Sequence, residues 1–173
     1  DLNTKYTFTK SLVDRQNEAE KAMLEEFHNG DYTLEHPLVK LNPYLINPLA
    51  AVVLFKTEEE IAVTVTVLGK EPAGNMKHTF PKAKEHILPI LGLYGGYKNK
   101  VEIELYRSEK NTIEIETEPL SDDVPKLIKM ETTAAYLRND LIIVSPALDS
   151  LSTGFDYQGE VRWHLNIPSV FDV

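Results

Sequence analysis

Two runs near the middle of the chain alternate strictly between apolar and acidic residues. Val101, Ile103 and Leu105 are separated by Glu102 and Glu104, and Ile113 and Ile115 alternate with Glu114, Glu116 and Glu118. A strand turns successive side chains to opposite faces, so each run has one dry row and one wet row. The polar residues 108–111 connect the runs, and Gly92, Gly95 and Gly96 loosen the approach to the first. The pattern predicts an antiparallel hairpin with Val101, Ile103, Ile113 and Ile115 inside and the glutamates in solvent. Those glutamates share one side of adjacent strands and repel one another unless lysines intervene.

Upstream, Ile61, Val63, Val65 and Val67 alternate with Thr64 and Thr66, and 49–55 is continuously apolar. The acidic stretch 57–60 between them predicts a second hairpin. Pro37, Pro43 and Pro48 bar residues 37–48 from a central strand and place them along a sheet edge. A loop over 69–75, a short strand over 77–80 and an apolar run over 86–91 complete about seven strands between Leu38 and Pro119. Seven short antiparallel strands at this spacing predict a two-sheet sandwich of the immunoglobulin or fibronectin type III kind, with Val63 and Val65 also buried. Tyr97, just before the penultimate strand, is the candidate for a phenol that reaches back to the backbone; plain rim packing is its alternative.

The one helical pattern lies at the start. Leu12, Gln16, Ala19, Met23 and Phe27 recur at spacings of three and four across 9–29, and Gly30 ends the run. Ser11 with Asp14 resembles a weak capping box. The polar face is acidic rather than lysine-rich, so the helix is expected to dock on the sheet rather than on a membrane.

After Leu120 the composition changes. Ser121, Asp122, Asp123 and Pro125 form a polar linker, which divides the chain into a helical segment (1–36), the sandwich (37–120) and a further β segment (121–173). Strands are expected over 126–131 and 140–145, a loop over 146–153, and a tight hairpin pairing 154–157 with 161–165 across Gln158 and Gly159. Alternation there sets Val161, Trp163 and Leu165 inward and Arg162, His164 and Asn166 outward.

Composition narrows the function classes. At 173 residues and 42% hydrophobic, the chain has enough apolar material for a core. A net charge of -9, from 27 acidic and 18 basic residues, opposes binding to phosphate backbones, so nucleic acid is not an expected partner. No apolar run approaches the roughly 20 residues of a membrane span. The absence of cysteine excludes disulfides, thiolate metal sites and thiol nucleophiles. The chain begins with Asp1 rather than methionine and ends on NIPSVFDV without a cap or polar tail, which reads as a product trimmed at both ends.

None of the five histidines has metal-ligand spacing with another on one element. His28 ends the helix, His36 precedes Pro37, and His78 and His86 flank Thr79, Phe80 and Pro81. His86 reads as a structural hydrogen-bonding residue, and His164 carries no evident role. A general acid/base pair needs one desolvated carboxyl, and every acidic run here reads as a solvated face or turn. Gly92, Gly95 and Gly96 precede a strand rather than a helix, which argues against a nucleotide loop. No catalytic, cofactor-binding or metal-ligating residue is predicted.

Longer motifs carry a family resemblance. LNPY at 41–44, PLAAVVLF at 48–55, TFP at 79–81, ILGLYGGYKNKV at 90–101, TEPL at 117–120 and FDYQGEVRWHL at 155–165 occur in an order and spacing that resemble the bacterial arylsulfate sulfotransferases. The resemblance implies an amino-terminal β-sandwich followed by a β-propeller that carries the chemistry, with 121–173 resembling the first strands of a propeller blade. It implies transfer of a sulfuryl group between phenols through a sulfated histidine of the propeller, an extracytoplasmic location and no cofactor. The structural motif residues it singles out are Pro43, Tyr44, Pro81, His86, Gly92, Tyr94, Tyr97, Asn99, Asp156, Gly159, Arg162 and Trp163. The implied partners are the propeller of the same parent chain and a second copy in a homodimer, with Trp163 buried there or against the sandwich. The alternative is a free-standing fibronectin-like adhesion or carbohydrate-binding module.

Overall fold

The computed structural model describes residues 10–126, 141–144 and 151–166. Helix α1 (Leu12–Asn29) is followed by β1 (Leu38–Leu41), β2 (Ala51–Val67), β3 (Met76–Ile90), β4 (Lys98–Leu105) and β5 (Lys110–Glu116). After the linker come β6 (Ile142–Val144), β7 (Leu151–Phe155) and β8 (Val161–Asn166). The strands predicted over 126–131 and the terminal 167–173 fall, apart from Lys126, outside the described residues.

The first five strands form one antiparallel sheet in which β1, β2, β4 and β5 lie in that order and β3 pairs with β2. This is a mainly β, Ig-like sandwich with an amino-terminal helix, and its two layers are halves of one curled sheet. The expected hairpin between 49–55 and 61–67 is instead the single 17-residue strand β2. Likewise 77–80 and 86–91 belong to one 15-residue strand, β3. The described chain therefore has five strands between Leu38 and Glu116 rather than about seven. The register shifts between Lys56 and Ile61 and again between Ile61 and Val63, and such bulges bend a strand without ending it. The acidic residues 58–60 thus lie exposed on the outside of a bend.

Curling brings Ala51, Val53 and Phe55 from one half of β2 into the same core as Val63, Val65 and Val67 from the other, with Leu88, Ile90, Val101, Ile103 and Ile115. Val52 and Leu54 point the other way and meet Met23 and Phe27 of α1 and Leu38 of β1. Both faces of this part of β2 are covered, which is why its sequence is apolar without alternation. The helix is set by local signals: the Ser11 side chain accepts from the Asp14 amide at its start, and Gly30 caps its end.

The hairpin β4–β5 follows its alternation, with Val101, Ile103 and Ile115 buried and Glu104, Glu114 and Glu116 exposed. Ile113 and Glu102 are half-buried. The register answers the repulsion: Lys98 faces Glu116, Lys100 faces Glu114 and Glu104 faces Lys110. β1 is an edge strand, as its flanking prolines require. Beyond the linker, β6, β7 and β8 form a separate three-stranded antiparallel sheet, in which β7 begins at Leu151, inside the expected loop.

Candidate functional site

Polar burial concentrates where the β7–β8 hairpin meets the sandwich. Asp156 starts the turn: its amide donates to the Glu160 carbonyl (2.9 Å), and its carbonyl accepts from the Gly159 amide (3.0 Å). Gly159 takes φ +82°, the left-handed conformation that closes such a three-residue connection. Asp156 Oδ1 accepts from the amides of Gln158 (2.9 Å) and Glu160 (3.0 Å). Its other oxygen, Oδ2, takes Arg162 Nη1 at 3.1 Å.

Arg162 is fully buried. Besides Asp156 it donates from Nε to the Gly92 carbonyl and from Nη1 to the Gly74 carbonyl, each at 2.8 Å. Its guanidinium lies 4.1 Å from the centre of the Tyr94 ring, so the cation is held by a carboxylate, two carbonyls and an aromatic face. Nη2 is buried with no hydrogen-bond acceptor among the described residues. Close approach explains Gly74, where a Cβ would lie 2.9 Å from the Tyr94 hydroxyl. At the rim Lys70 Nζ bonds Glu160 (3.0 Å) and Gln158 donates to Glu71 (2.7 Å).

The sandwich side of this junction is organised by Asn99. Its Oδ1 accepts from the Tyr94 amide (2.8 Å), and its Nδ2 donates to the carbonyls of Tyr94 (3.0 Å), Tyr97 (3.2 Å) and Ile115 (3.3 Å). Thr117 adds a donated bond to the Tyr94 carbonyl and accepts from the Tyr97 amide. The loop carrying Gly92 and Tyr94 is therefore tied to β4 and to the end of β5 through buried side chains. Burial raises the Tyr94 phenol above its ordinary pKa.

Two sequence expectations are corrected here. The phenol that reaches back to the backbone is that of Tyr94, whose oxygen accepts from the Lys70 amide at 3.1 Å; Tyr97 sits at the rim, 37% exposed. The inward row of β8 is inverted: Arg162 and His164 are buried, while Val161, Trp163 and Leu165 are half-buried. His164 Nδ1 lies 3.3 Å from Thr153 Oγ1. A polar row can occupy the inner face because each member meets a polar partner there. Trp163 covers Gly154 opposite it on β7.

Of the twelve motif residues, Gly92, Tyr94, Tyr97, Asn99, Asp156, Gly159 and Arg162 come together at this junction. Pro43 and Tyr44 lie on the 42–47 loop beside α1, where the Tyr44 hydroxyl donates to Glu20 (3.0 Å) and its carbonyl accepts from Gln16 (2.8 Å). Pro81 and His86 lie on β3, Pro81 within the register shift between Phe80 and Ala83 and His86 opposite Phe55 in the regular part beyond, and Trp163 is on the far face of β8. Gly74 and Lys70 were not singled out from sequence; they lie in a stretch with the composition of an ordinary loop.

The remaining histidines do not converge. His28, His36 and His78 are exposed; His28 faces Glu85 at 3.5 Å, and His78 packs edge-on to Phe80. Among the described residues no three histidine, aspartate or glutamate side chains form a metal-holding group. His86 is buried, stacked on Phe55 at 4.7 Å, with Nε2 2.9 Å from Thr57 Oγ1. Burial pushes its pKa below the ordinary value. The unfolded chain binds that proton more readily, so stability is full above about pH 6.5 and falls as pH drops from there toward the depressed native pKa. The melting temperature of the native chain should fall more steeply between about pH 7.5 and 5 than that of His86→Gln; parallel curves would show that His86 titrates normally.

A sequence profile of the arylsulfotransferase Ig-like domain matches residues 38–121, from the first residue of β1 through the Asn99 and Thr117 network to the start of the linker. No curated protein matches the chain. Among the described residues no helix is long and apolar enough to cross a membrane. An antiparallel curled sandwich, closed at one end by the Gly92 to Thr117 network, coincides with that match: residues 38–121 are similar to the arylsulfotransferase Ig-like domain.

Proposed function

We propose that this chain is the non-catalytic amino-terminal portion of an arylsulfate sulfotransferase, with 1–36 a helical segment, 37–120 the sandwich and 121–173 the linker and first strands of the catalytic propeller. The observation that carries this reading is the Arg162 junction: a charged side chain of β8 is buried in carbonyls of the sandwich. The sandwich is a pedestal that fixes the start of the next domain. In the parent enzyme, which acts outside the cytoplasm, a propeller histidine takes the sulfuryl group from a phenolic sulfate ester as the ester S–O bond breaks. A second phenol then takes the group from that nitrogen.

Incubated with 4-nitrophenyl sulfate and an excess of phenol, this chain should release no nitrophenolate above the uncatalysed background. Turnover that disappears on substituting any one of His28, His36, His78, His86 or His164 would place the nucleophile in this segment and overturn the reading.

A further inference from the structure

β3 leaves one edge of the sandwich open. It pairs with β2 on one side, and among the described residues no strand pairs with its other side over 76–90. Met76, His78 and Phe80 stand opposite Val67, Val65 and Val63 in the ladder, so they share the core face, while Lys77 and Thr79 take the outer one. The interlayer core is therefore reached from this side, through an apolar groove of about 350 Å³ lined by Val65, Val67, Met76, Phe80 and Ile90 among others. An unpaired strand edge beside an apolar trough is what strand addition completes: main-chain bonds hold the added strand while alternate side chains fill the trough. Pro81 limits such pairing to 76–80, which contains no proline.

This edge is basic in an otherwise acidic molecule. No carboxylate lies between Glu71 and Glu85, whereas Lys77, His78, Lys82 and Lys84 do, in a chain of net charge -9. The three lysines are exposed and form no ion pair among the described residues. A second copy bringing its own β3 would set these lysines against one another, so the edge is guarded against its like. The same lysines favour a strand whose outward residues are acidic. The sheet already holds one strand of that kind: β5 packs Ile113 and Ile115 on the core and sets Glu114 opposite Lys100 and Glu116 opposite Lys98.

We propose that the open edge of β3 over 76–80 is a docking site for an extended peptide of another protein in which apolar residues alternate with aspartate or glutamate. Its main chain pairs with β3, its apolar side chains enter the groove, and its carboxylates lie on the outer face beside Lys77. Lys82 and Lys84 add attraction beyond the end of the paired stretch.

A probe with this pattern is an end-blocked peptide carrying the sequence of residues 111–118, NTIEIETE. Added to the full chain, it should bind saturably below about 1 mM and slow exchange of the outward amides over 76–80 at least about ten-fold. Lys77→Glu combined with Lys82→Glu, two changes at exposed positions, should weaken binding at least about ten-fold, as should exchanging the peptide's glutamates for lysine. N-methylation of every other peptide residue should abolish binding in one of its two phases, because the strand then lacks the donors that face β3. Absence of binding, binding insensitive to the lysine changes, or binding that survives N-methylation in both phases would each overturn the proposal. So would sedimentation of the chain alone as oligomers that Lys77→Glu disperses, which would show a second copy on this edge.

Discussion

Replacing Arg162 with alanine is expected to cost about 3–5 kcal/mol of stability, the range for breaking a buried ion pair by removing one partner. The loss exceeds that of the pair alone, because the Asp156 carboxylate and the carbonyls of Gly74 and Gly92 are left in place without their donor. Urea unfolding followed by circular dichroism measures the cost. The single tryptophan, Trp163, is next to Arg162 on β8 and reports the junction itself, so its emission should shift to the red if the hairpin loosens from the sandwich. Arg162→Lys should recover little, since one ammonium cannot match the planar fork that reaches Gly92, Gly74 and Asp156 while stacking on Tyr94. Replacing Arg162 and Asp156 together with leucine should cost less than the sum of the two single changes, because neither charge is then left buried without the other. A loss below about 1 kcal/mol for Arg162→Ala would place this pair with exposed salt bridges and show that it does not hold the hairpin to the sandwich.

Asn99→Asp should cost about 3 kcal/mol or more although it changes one atom. The amide Nδ2 donates to three carbonyls; a carboxylate oxygen in its place meets the same three acceptors with no hydrogen to offer and with a charge in a fully buried position. Protonation of the new carboxyl relieves part of this, so the deficit should shrink as pH falls toward 4. The variant's unfolding midpoint against pH reads both effects. An asparagine merely filling space would show a small loss and no pH dependence. Because the same network holds the Tyr94 loop, Asn99→Asp should also shift the Trp163 emission.

How much of this was legible in the sequence depended on the range of the signal. The β4–β5 hairpin was legible to the face, because burial of Val101, Ile103 and Ile115 follows from period-two alternation alone. So were the helix, which ends before Gly30 as expected and begins at Leu12, three residues later than the periodicity suggested, the edge position of β1, and the tight turn at Gly159. The continuity of β2 was not. Glu58, Glu59 and Glu60 have the composition of a turn, and only the matching bend of β3 opposite them lets the strand pass through. The residues of the junction were visible as motif members, yet their arrangement was not: Tyr94 and Tyr97 lie three apart in one glycine-rich loop, and the Lys70 amide and Asn99 side chain decide which one goes inside.

The sequence by itself determined the class of fold, the faces of the regular hairpin, the carboxyl end of the helix and the family likeness of residues 38–121, since each rests on patterns a few residues long or on a motif order written directly in the chain. Tertiary structure alone decided that β2 and β3 curl one sheet into two layers, and that Arg162 and His164 rather than Trp163 face inward on β8. The reason is physical. A polar side chain goes inside only where distant groups satisfy it, and the carbonyls that accept from Arg162 lie 70 and 88 positions away along the chain.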